Sequence, residues 1–201
     1  MLKTNKKGMG IQQVFVFIVA AITFSMIMIF GYGAINDFLA KGEQVEFYQF
    51  KTSLESSIKK IYSEYGAERQ VDFNIPVKYS QICFVDLDSD ANSVEFQAGF
   101  QDLCNKDPDT ENDDWNFKAC DSWETASNSG LGYEGAEENV FLEPGSPVSL
   151  KVYKIEIAND QLGNERGFLC VPIEKGKFSL HLKGKGSRTE ISERVFSLPS
   201  T

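Results

Sequence analysis

The chain has 201 residues, of which 42% are hydrophobic and 24% are charged, a composition typical of a protein that folds around a packed core. Its formal net charge of -9 argues against a nucleic-acid partner, because phosphates repel an acidic surface. A chain of this length has room for one domain together with a membrane anchor, or for at most two small domains.

The N-terminal part of the chain is basic and then strongly apolar. Lys3, Lys6 and Lys7 are the only charged side chains before Asp37, and residues 14–35 carry no charge. A helix of these 22 residues is about 33 Å long, enough to cross a hydrocarbon core of about 30 Å. The run therefore predicts a transmembrane helix, and the positive-inside rule places the N-terminus in the cytoplasm and the C-terminal part outside.

A cleaved secretory signal peptide is the alternative interpretation of this run. The apolar core of a signal peptide is usually about 7–15 residues long, and small residues in an A-x-A-like pattern follow it. Residues 14–35 are longer than that, and the sequence at their end, GYGAINDF, lacks the pattern. We therefore favour a retained helix over signal cleavage at this position.

Residues 37–66 are predicted to continue as an amphipathic helix. Their apolar side chains recur at steps of three or four residues, which places them on one face of a helix. These side chains are Phe47, Phe50, Leu54, Ile58, Ile61 and Tyr65. We expect Gly66 to act as the C-cap, and Gly31, Gly33 and Gly42 to bend or interrupt the junction between the two helical halves.

The region after Gly66 is predicted to be rich in β-strands. Strand-like patterns occur at 71–79, 81–87, 139–143, 148–158, 167–173 and 177–183. Residues 71–79 alternate strictly between apolar and polar side chains, and Pro76 indicates an edge position. Residues 81–87 are more uniformly apolar, which favours a central strand.

The strand pattern has three irregular places. The alternation within 148–158 changes phase between Val152 and Tyr153, which indicates a bulge or a twist. The sequence EKGK at 174–177 predicts a short hairpin turn. Residues 189–199 are either one more strand or a tail.

These patterns together predict an α+β fold. A long N-terminal helix, half transmembrane and half amphipathic, precedes an antiparallel β-sandwich or curled β-sheet domain over residues 67–201. Residues 88–137 interrupt the strands with a polar stretch rich in Gly, Ser and Asn, which predicts mostly loop. Trp115 and Trp123 lie in this stretch, and we expect them to plug the core rather than to form a contact patch.

The four cysteines all follow the apolar run, which favours two disulfide bonds in an oxidising space. Three pairings are possible, and the sequence does not select among them. We favour Cys104–Cys120, which would staple the polar stretch, together with Cys83–Cys170, which would join two predicted strands. Unpaired buried cysteines are the alternative, and a zinc site is disfavoured because no CxxC pair occurs.

A calcium-loop pattern follows the second predicted strand. Its oxygen ligands would come from alternate positions, as in known calcium loops. The candidate ligands are Asp86, Asp88, Asp90 and Asn92. Ala91 and Gln97 stand where such loops carry Gly and Glu, so this loop would bind calcium weakly, and no other cofactor is expected. The simpler alternative is that these acids keep a surface domain soluble.

No pattern of catalytic residues is found in the sequence. It contains no G-x-S-x-G, H-E-x-x-H or P-loop motif. His181 lies between Leu180 and Leu182 in a predicted strand, so it should face solvent on the opposite side from those leucines. The glycines and bases of GKGSR at 184–188 indicate a turn, since no helix start follows to hold a phosphate. We therefore predict that the protein is not an enzyme.

The sequence KKGMGIQQVFVFIVAAITF, residues 6–24, resembles the class III signal of archaeal type IV pilins and their relatives. The resemblance implies that a membrane peptidase cuts between Gly8 and Met9, which makes residues 1–8 a basic cytoplasmic leader and residues 9–36 the transmembrane helix. Polar residues such as Gln12 also occur early in the helices of that family. Bacterial type IV pilins usually carry Glu where this chain has Gln13, so the bacterial form of the family is a worse match.

The resemblance implies a non-enzymatic, pilin-like subunit at the cell surface. It would cross the membrane once, expose its β-rich domain outside the cell, and assemble through its apolar helix with copies of itself or related subunits in a filament. The alternative is an uncleaved, signal-anchored binding or interaction domain that is an accessory to a membrane complex. The two differ in whether residues 1–8 are removed.

Overall fold

The computed structural model describes residues 9–88, 103–104, 115–159 and 166–193. The chain divides into two compact units, Met1–Val45 and Glu46–Thr201. We call the first unit the anchor segment and the second the head domain, and we describe each by itself.

One long helix, α1, covers Met9–Tyr62. It is not interrupted at Gly31, Gly33 or Gly42, where the sequence predicts a bend or a break. The helix also ends four residues earlier than predicted. Gly66, the expected C-cap, lies outside the helix with a φ of +77°, and its N–H donates a hydrogen bond of 2.7 Å to the carbonyl of Gly184.

A four-stranded sheet forms one part of the head domain. Its strands, in their order across the sheet, are β1 (Glu68–Asn74), β6 (Lys177–Gly184), β7 (Thr189–Glu193) and β4 (Ile155–Ile157). β1–β6 and β6–β7 are antiparallel, whereas β4 and β7 run parallel, which corrects the purely antiparallel expectation. The parallel pair arises because the chain enters the other sheet after β4 and returns through β6 before it reaches β7.

A three-stranded antiparallel sheet has the order β3-β2-β5. Its strands are β2 (Gln81–Val85), β3 (Val140–Glu143) and β5 (Phe168–Pro172). β2 is buried on both faces and lies in the centre, as its apolar sequence predicts. The described chain therefore folds as an N-terminal helix followed by a mixed α+β region with open sheets.

The strands differ in extent from the predicted ones. β1 ends at Asn74, so Pro76 and Val77 lie beyond it, and Val77 is 80% exposed instead of facing the core. Only three residues of the predicted strand 148–158 form β4, because Leu150 makes an isolated bridge to Val140 in the other sheet. The last predicted strand is present as β7, and residues 194–199 lie outside the described part of the chain.

The predicted polar loop at 88–137 contains a helix, which corrects the loop assignment. This helix, α2, covers Trp115–Ser129, and a short 3-10 helix follows at Gly132–Gly135. Ala119, Trp123 and Ala126 are spaced by four and three residues, and they pack against a secondary hydrophobic cluster beside β2. Small and polar residues surround these three side chains, so the composition of the segment does not reveal this narrow apolar face.

The main core lies between α1 and the two sheets of the head domain. The predicted apolar face of α1 is buried in it, except for Tyr65, which follows the helix and is 84% exposed. Phe50 meets Phe73 and Phe178 at ring-centroid distances of 6.5 and 5.9 Å. Thr189 on β7 adds a buried hydrogen bond of 3.0 Å from its hydroxyl to the carbonyl of Ile58. Aromatic packing and this polar contact fix the helix to the four-stranded sheet.

Candidate functional site

The most unusual surface of the anchor segment is its apolar helix. Val14–Ile35 is uncharged, has a mean hydropathy of 2.6, and is 0% buried within the structure. It is the one helix within the described residues that is long and apolar enough to cross a membrane. Because exposed apolar area costs about 25 cal/mol per Å² in water, a cover of lipid or of other apolar helices would stabilise such a surface.

Two of the three hydroxyl groups within this run, those of Thr23 and Ser25, bond to the helix itself. The Thr23 hydroxyl donates a hydrogen bond of 3.0 Å to the carbonyl of Ala20, and the Ser25 hydroxyl donates one of 2.8 Å to the carbonyl of Ala21. Polar groups that are satisfied within their own helix suit an apolar environment, where an unmade hydrogen bond costs several kcal/mol. These side chains therefore do not argue against burial in lipid or in a helix bundle.

The predicted processing position lies at the start of α1. Met9 is the first residue of the helix, and Gly8 lies outside the described residues. The side chain of Gln13, like that of Gln12, is also outside the described part, so the structure adds no contact for either glutamine. The processing assignment therefore still depends on the sequence.

Both favoured cysteine pairings occur in the structure. Cys83 and Cys170 are directly opposite on β2 and β5, with their Cα atoms 4.0 Å apart. Cys104 and Cys120 have Cα atoms 5.2 Å apart, and this bond connects α2 to the chain before it. Glu124 lies close enough to Cys104 and Cys120 for the three to hold a metal, but the two sulfur atoms form the disulfide.

The calcium candidates are placed only in part. The buried Asp86 accepts a 3.0 Å hydrogen bond from the backbone N–H of Asp88. Asp88 in turn accepts a 2.9 Å bond from the N–H of Tyr133 and lies 3.3 Å from the ammonium group of Lys154. Asp88 thus joins the end of β2 to the 3-10 helix and to the chain before β4, while the Asp86 contact lies within the turn that follows β2. The other two candidates, Asp90 and Asn92, lie outside the described residues.

The environment of Asp86 changes its acidity. Burial raises the pKa of this carboxyl group to about 7, although the Asp88 N–H and the charge of Arg188 oppose that rise. At Gly132, opposite this junction, φ is +55° and an added Cβ would overlap Asp88 Oδ1. The positive φ and this close approach favour glycine at position 132, and burial leaves Asp86 partly protonated near neutral pH.

A cluster of tyrosines and lysines beside this junction was not apparent in the sequence. The Tyr62 and Tyr153 rings lie 4.3 Å apart, and Tyr133 lies 6.2 Å from Tyr153. The ammonium groups of Lys151 and Lys154 are 4.2 and 5.6 Å from the centre of the Tyr133 ring, a cation–π arrangement. These residues come from α1, the 3-10 helix and the segment before β4, so no local motif could have indicated their proximity.

The other residues considered from the sequence are a histidine and two tryptophans. His181 lies on the outer face of β6, 3.9 Å from Glu68, and its side chain is 41% exposed, as the alternation predicts. Lys183 on the same face is 2.6 Å from Glu68 and lowers the pKa of that carboxyl group. Trp123 packs against the secondary cluster, while the side chain of Trp115 lies outside the described part.

Comparison with known proteins adds no relative. No protein-family model, no curated protein and no solved structure matches this chain.

Proposed function

We propose that the protein is a pilin-like structural subunit of the cell surface, anchored and assembled through α1. The observation that carries this proposal is the exposed, uncharged helix Val14–Ile35. A bilayer would cover it before assembly, and the same helices of neighbouring copies would cover it in a filament. The basic leader and the Gly8–Met9 position resemble a class III signal, which would release the helix for that transfer.

The head domain is consistent with exposure outside the cell. Two disulfide bonds suit an oxidising compartment, and the positive-inside rule puts this part of the chain outside. The acidic composition of the chain would keep such heads apart from phosphates and in contact with water. We therefore propose that the head forms the solvent-facing part of the subunit and the helix forms its cohesive part.

The alternative function is that of a signal-anchored binding domain in a membrane complex. The same helix supports it, since a bilayer alone covers an apolar surface as well as a bundle does. The two proposals predict membrane-bound chains with different N-termini, because only the pilin-like subunit loses its leader.

Intact-mass spectrometry of the protein from membranes of its native host tests this difference. We expect a chain that begins at Met9 and lacks Lys3, Lys6 and Lys7. Gly8→Val should block processing and leave the leader in place, whereas the matched control Gly10→Val should be processed normally. A wild-type chain that keeps its leader would refute prepilin-type processing.

Filament assembly needs its own measurement. We expect electron microscopy and mass spectrometry of filaments sheared from host cells to detect this chain, and cells that carry only the Gly8→Val variant to lack it in that fraction. A processed chain that stays entirely in the membrane fraction would refute assembly into a filament.

A further inference from the structure

A groove of about 720 Å³ opens beside the 174–177 turn, where β5 and β6 separate to enter different sheets. Its apolar floor consists of the exposed Pro172 above the buried side chains of Phe73, Val171 and Phe178. The charged residues that line it are Asp72, Glu174, Glu193 and Lys177. We call this feature the acidic groove, because its three carboxylates outnumber its one cation.

Two carboxylates of the acidic groove are available to a partner. Glu174 and Glu193 are exposed, and neither forms an ion pair within the described residues. Asp72, by contrast, accepts a 2.5 Å hydrogen bond from the Ser179 hydroxyl across the β1–β6 pair. The groove thus presents negative charge above an apolar floor, a combination that suits a cation on an aliphatic stem.

An exposed basic patch lies elsewhere on the same head domain. Lys59 and Lys60 are adjacent in the last turn of α1, and neither forms an ion pair within the described chain. The neighbouring cations Arg69, Lys183 and Lys185 each lie 2.6 Å from a carboxylate. The position of Lys59 and Lys60 suits the helix dipole, but it leaves both ammonium groups facing solvent.

The groove and the patch lie at opposite ends of the four-stranded sheet. Lys177 at one end of β6 lines the groove, while Gly184 at the other end bonds to Gly66, just after α1. Strand β6 between them has eight residues and is about 24 Å long at about 3.4 Å per residue, so the two surfaces do not overlap. A contact that joins the groove of one copy to the patch of the next therefore leaves one groove and one patch free. Such a heterologous contact permits open-ended growth.

We infer that the acidic groove of one copy binds the Lys59–Lys60 patch of a second copy. The charges are complementary, and the apolar floor can contact the methylene stems of the lysines while Glu174 and Glu193 meet their ammonium groups. This inference rests on the proposed self-assembly and adds to it the surface that sets the register between head domains. Because the pairs are exposed, added salt should weaken the contact.

Charge reversal in the full-length chain tests this interface. The groove variant carries Glu174→Lys and Glu193→Lys, the helix variant carries Lys59→Glu and Lys60→Glu, and a third chain combines all four. Self-association is measured by analytical ultracentrifugation of the full chain in detergent at about 0.1 M salt, where the Debye length is about 10 Å. We expect each two-site variant to self-associate about tenfold more weakly, and the combined chain to recover to within about threefold of wild type.

Matched controls separate a specific contact from net charge. One control is the double variant Lys118→Glu with Arg166→Glu, which changes the net charge by the same amount as the helix variant. The other is the double variant Glu134→Lys with Glu137→Lys, which changes it by the same amount as the groove variant. Both pairs are exposed and lie outside the groove and the patch. We expect these controls to associate within about threefold of wild type.

Cross-linking with a carbodiimide locates the contact directly. In a mixture of chains labelled with ¹⁴N and ¹⁵N, amide cross-links of mixed isotope between Glu174 or Glu193 and Lys59 or Lys60 are expected. If wild type associates but both reversals leave it unchanged, or the combined chain fails to recover, the interface is refuted while self-assembly stands. If wild type does not associate at all, the groove contact is refuted, whereas assembly through α1, which detergent covers in this assay, is decided by the filament measurement above.

Discussion

The buried carboxyl group of Asp86 should make the stability of the head domain depend on pH, and Asp86→Asn should remove that dependence. In the folded chain its pKa is about 7, against an ordinary value of 3.8. The native state therefore holds a proton that the unfolded state releases between these two values. Stability from this group is complete below about pH 3.8 and is lost as the pH rises through about 7.

The magnitude follows from the pKa difference. Each unit corresponds to 1.36 kcal/mol, so the full cost of ionising Asp86 in the fold is about 4 kcal/mol above pH 7. Between pH 5 and pH 8, the part of this range open to a practical assay, the change is about 2.5 kcal/mol. Asn keeps an oxygen that can accept the Asp88 N–H and carries no charge, so the variant should not show this loss.

Denaturant unfolding of the full-length chain in detergent, followed by tryptophan fluorescence, measures the effect at both pH values. Trp123 packs in the cluster beside β2, so its emission should report opening of this region. We expect the free energy of unfolding of wild type, relative to that of Asp86→Asn, to fall by about 2.5 kcal/mol from pH 5 to pH 8. Because both chains contain the same other titratable groups, the contributions of those groups cancel in the difference between the two free energies of unfolding.

Asp121→Asn, at an exposed position of α2, is the matched control and should track wild type at both pH values. If the wild-type and Asp86→Asn curves stay parallel between pH 5 and pH 8, Asp86 is ionised normally and the argument from burial is wrong. A variant that is less stable than wild type at pH 8 would show that the carboxylate contributes a net favourable interaction.

Further expectations concern the core, the disulfides and calcium, and each is measured by thermal unfolding of the full chain in detergent. Phe50→Ala should cost about 3–5 kcal/mol because it leaves a cavity against two aromatic rings, whereas Tyr48→Ala, at a 54% exposed position, should cost far less; equal losses would contradict the packing. Replacing both members of Cys83–Cys170 by Ser should cost more than the same change at the other disulfide, since 87 rather than 16 residues separate the bonded cysteines and loop entropy predicts about 4.6 against about 3 kcal/mol; no loss in either chain would refute a stabilising role. Calcium at about 10 mM should raise the unfolding temperature if the acidic segment forms a site, and the absence of a shift would remove that idea.

The parts of the fold that the sequence predicts well are those with a regular period. The three- and four-residue steps from Phe47 to Ile61 define the buried face of α1 because every member lies on the same side of a helix. The EKGK turn is present as well, with mutual backbone hydrogen bonds between Glu174 and Lys177, and the residues at its centre have positive φ. The apolar run of α1 can also be predicted, because its length and its lack of charge are read directly from the sequence.

Where local signals compete, the sequence-based expectation fails. The sequence of α2 predicts a loop because Asn and Ser favour turns, yet contacts of Ala119 and Ala126 with the secondary cluster override that preference. The predicted strand 148–158 is mostly irregular because Asn139 exchanges hydrogen bonds with the backbone of Val152 and Leu150 bridges to β3. The arrangement of the two sheets as a sandwich stays a prediction.

The sequence by itself determined where the chain is apolar enough to enter a membrane, which residues of α1 face the core, and how the leader resembles a processed signal. Only the tertiary structure decided the parallel pairing of β4 with β7, the junction of Asp86 and Asp88, and the acidic groove. The physical reason is the separation along the chain of the residues that set each property. A helical face or an uncharged run is a property of neighbouring residues. A strand partner, a raised pKa or a groove arises only when residues far apart in the chain come together.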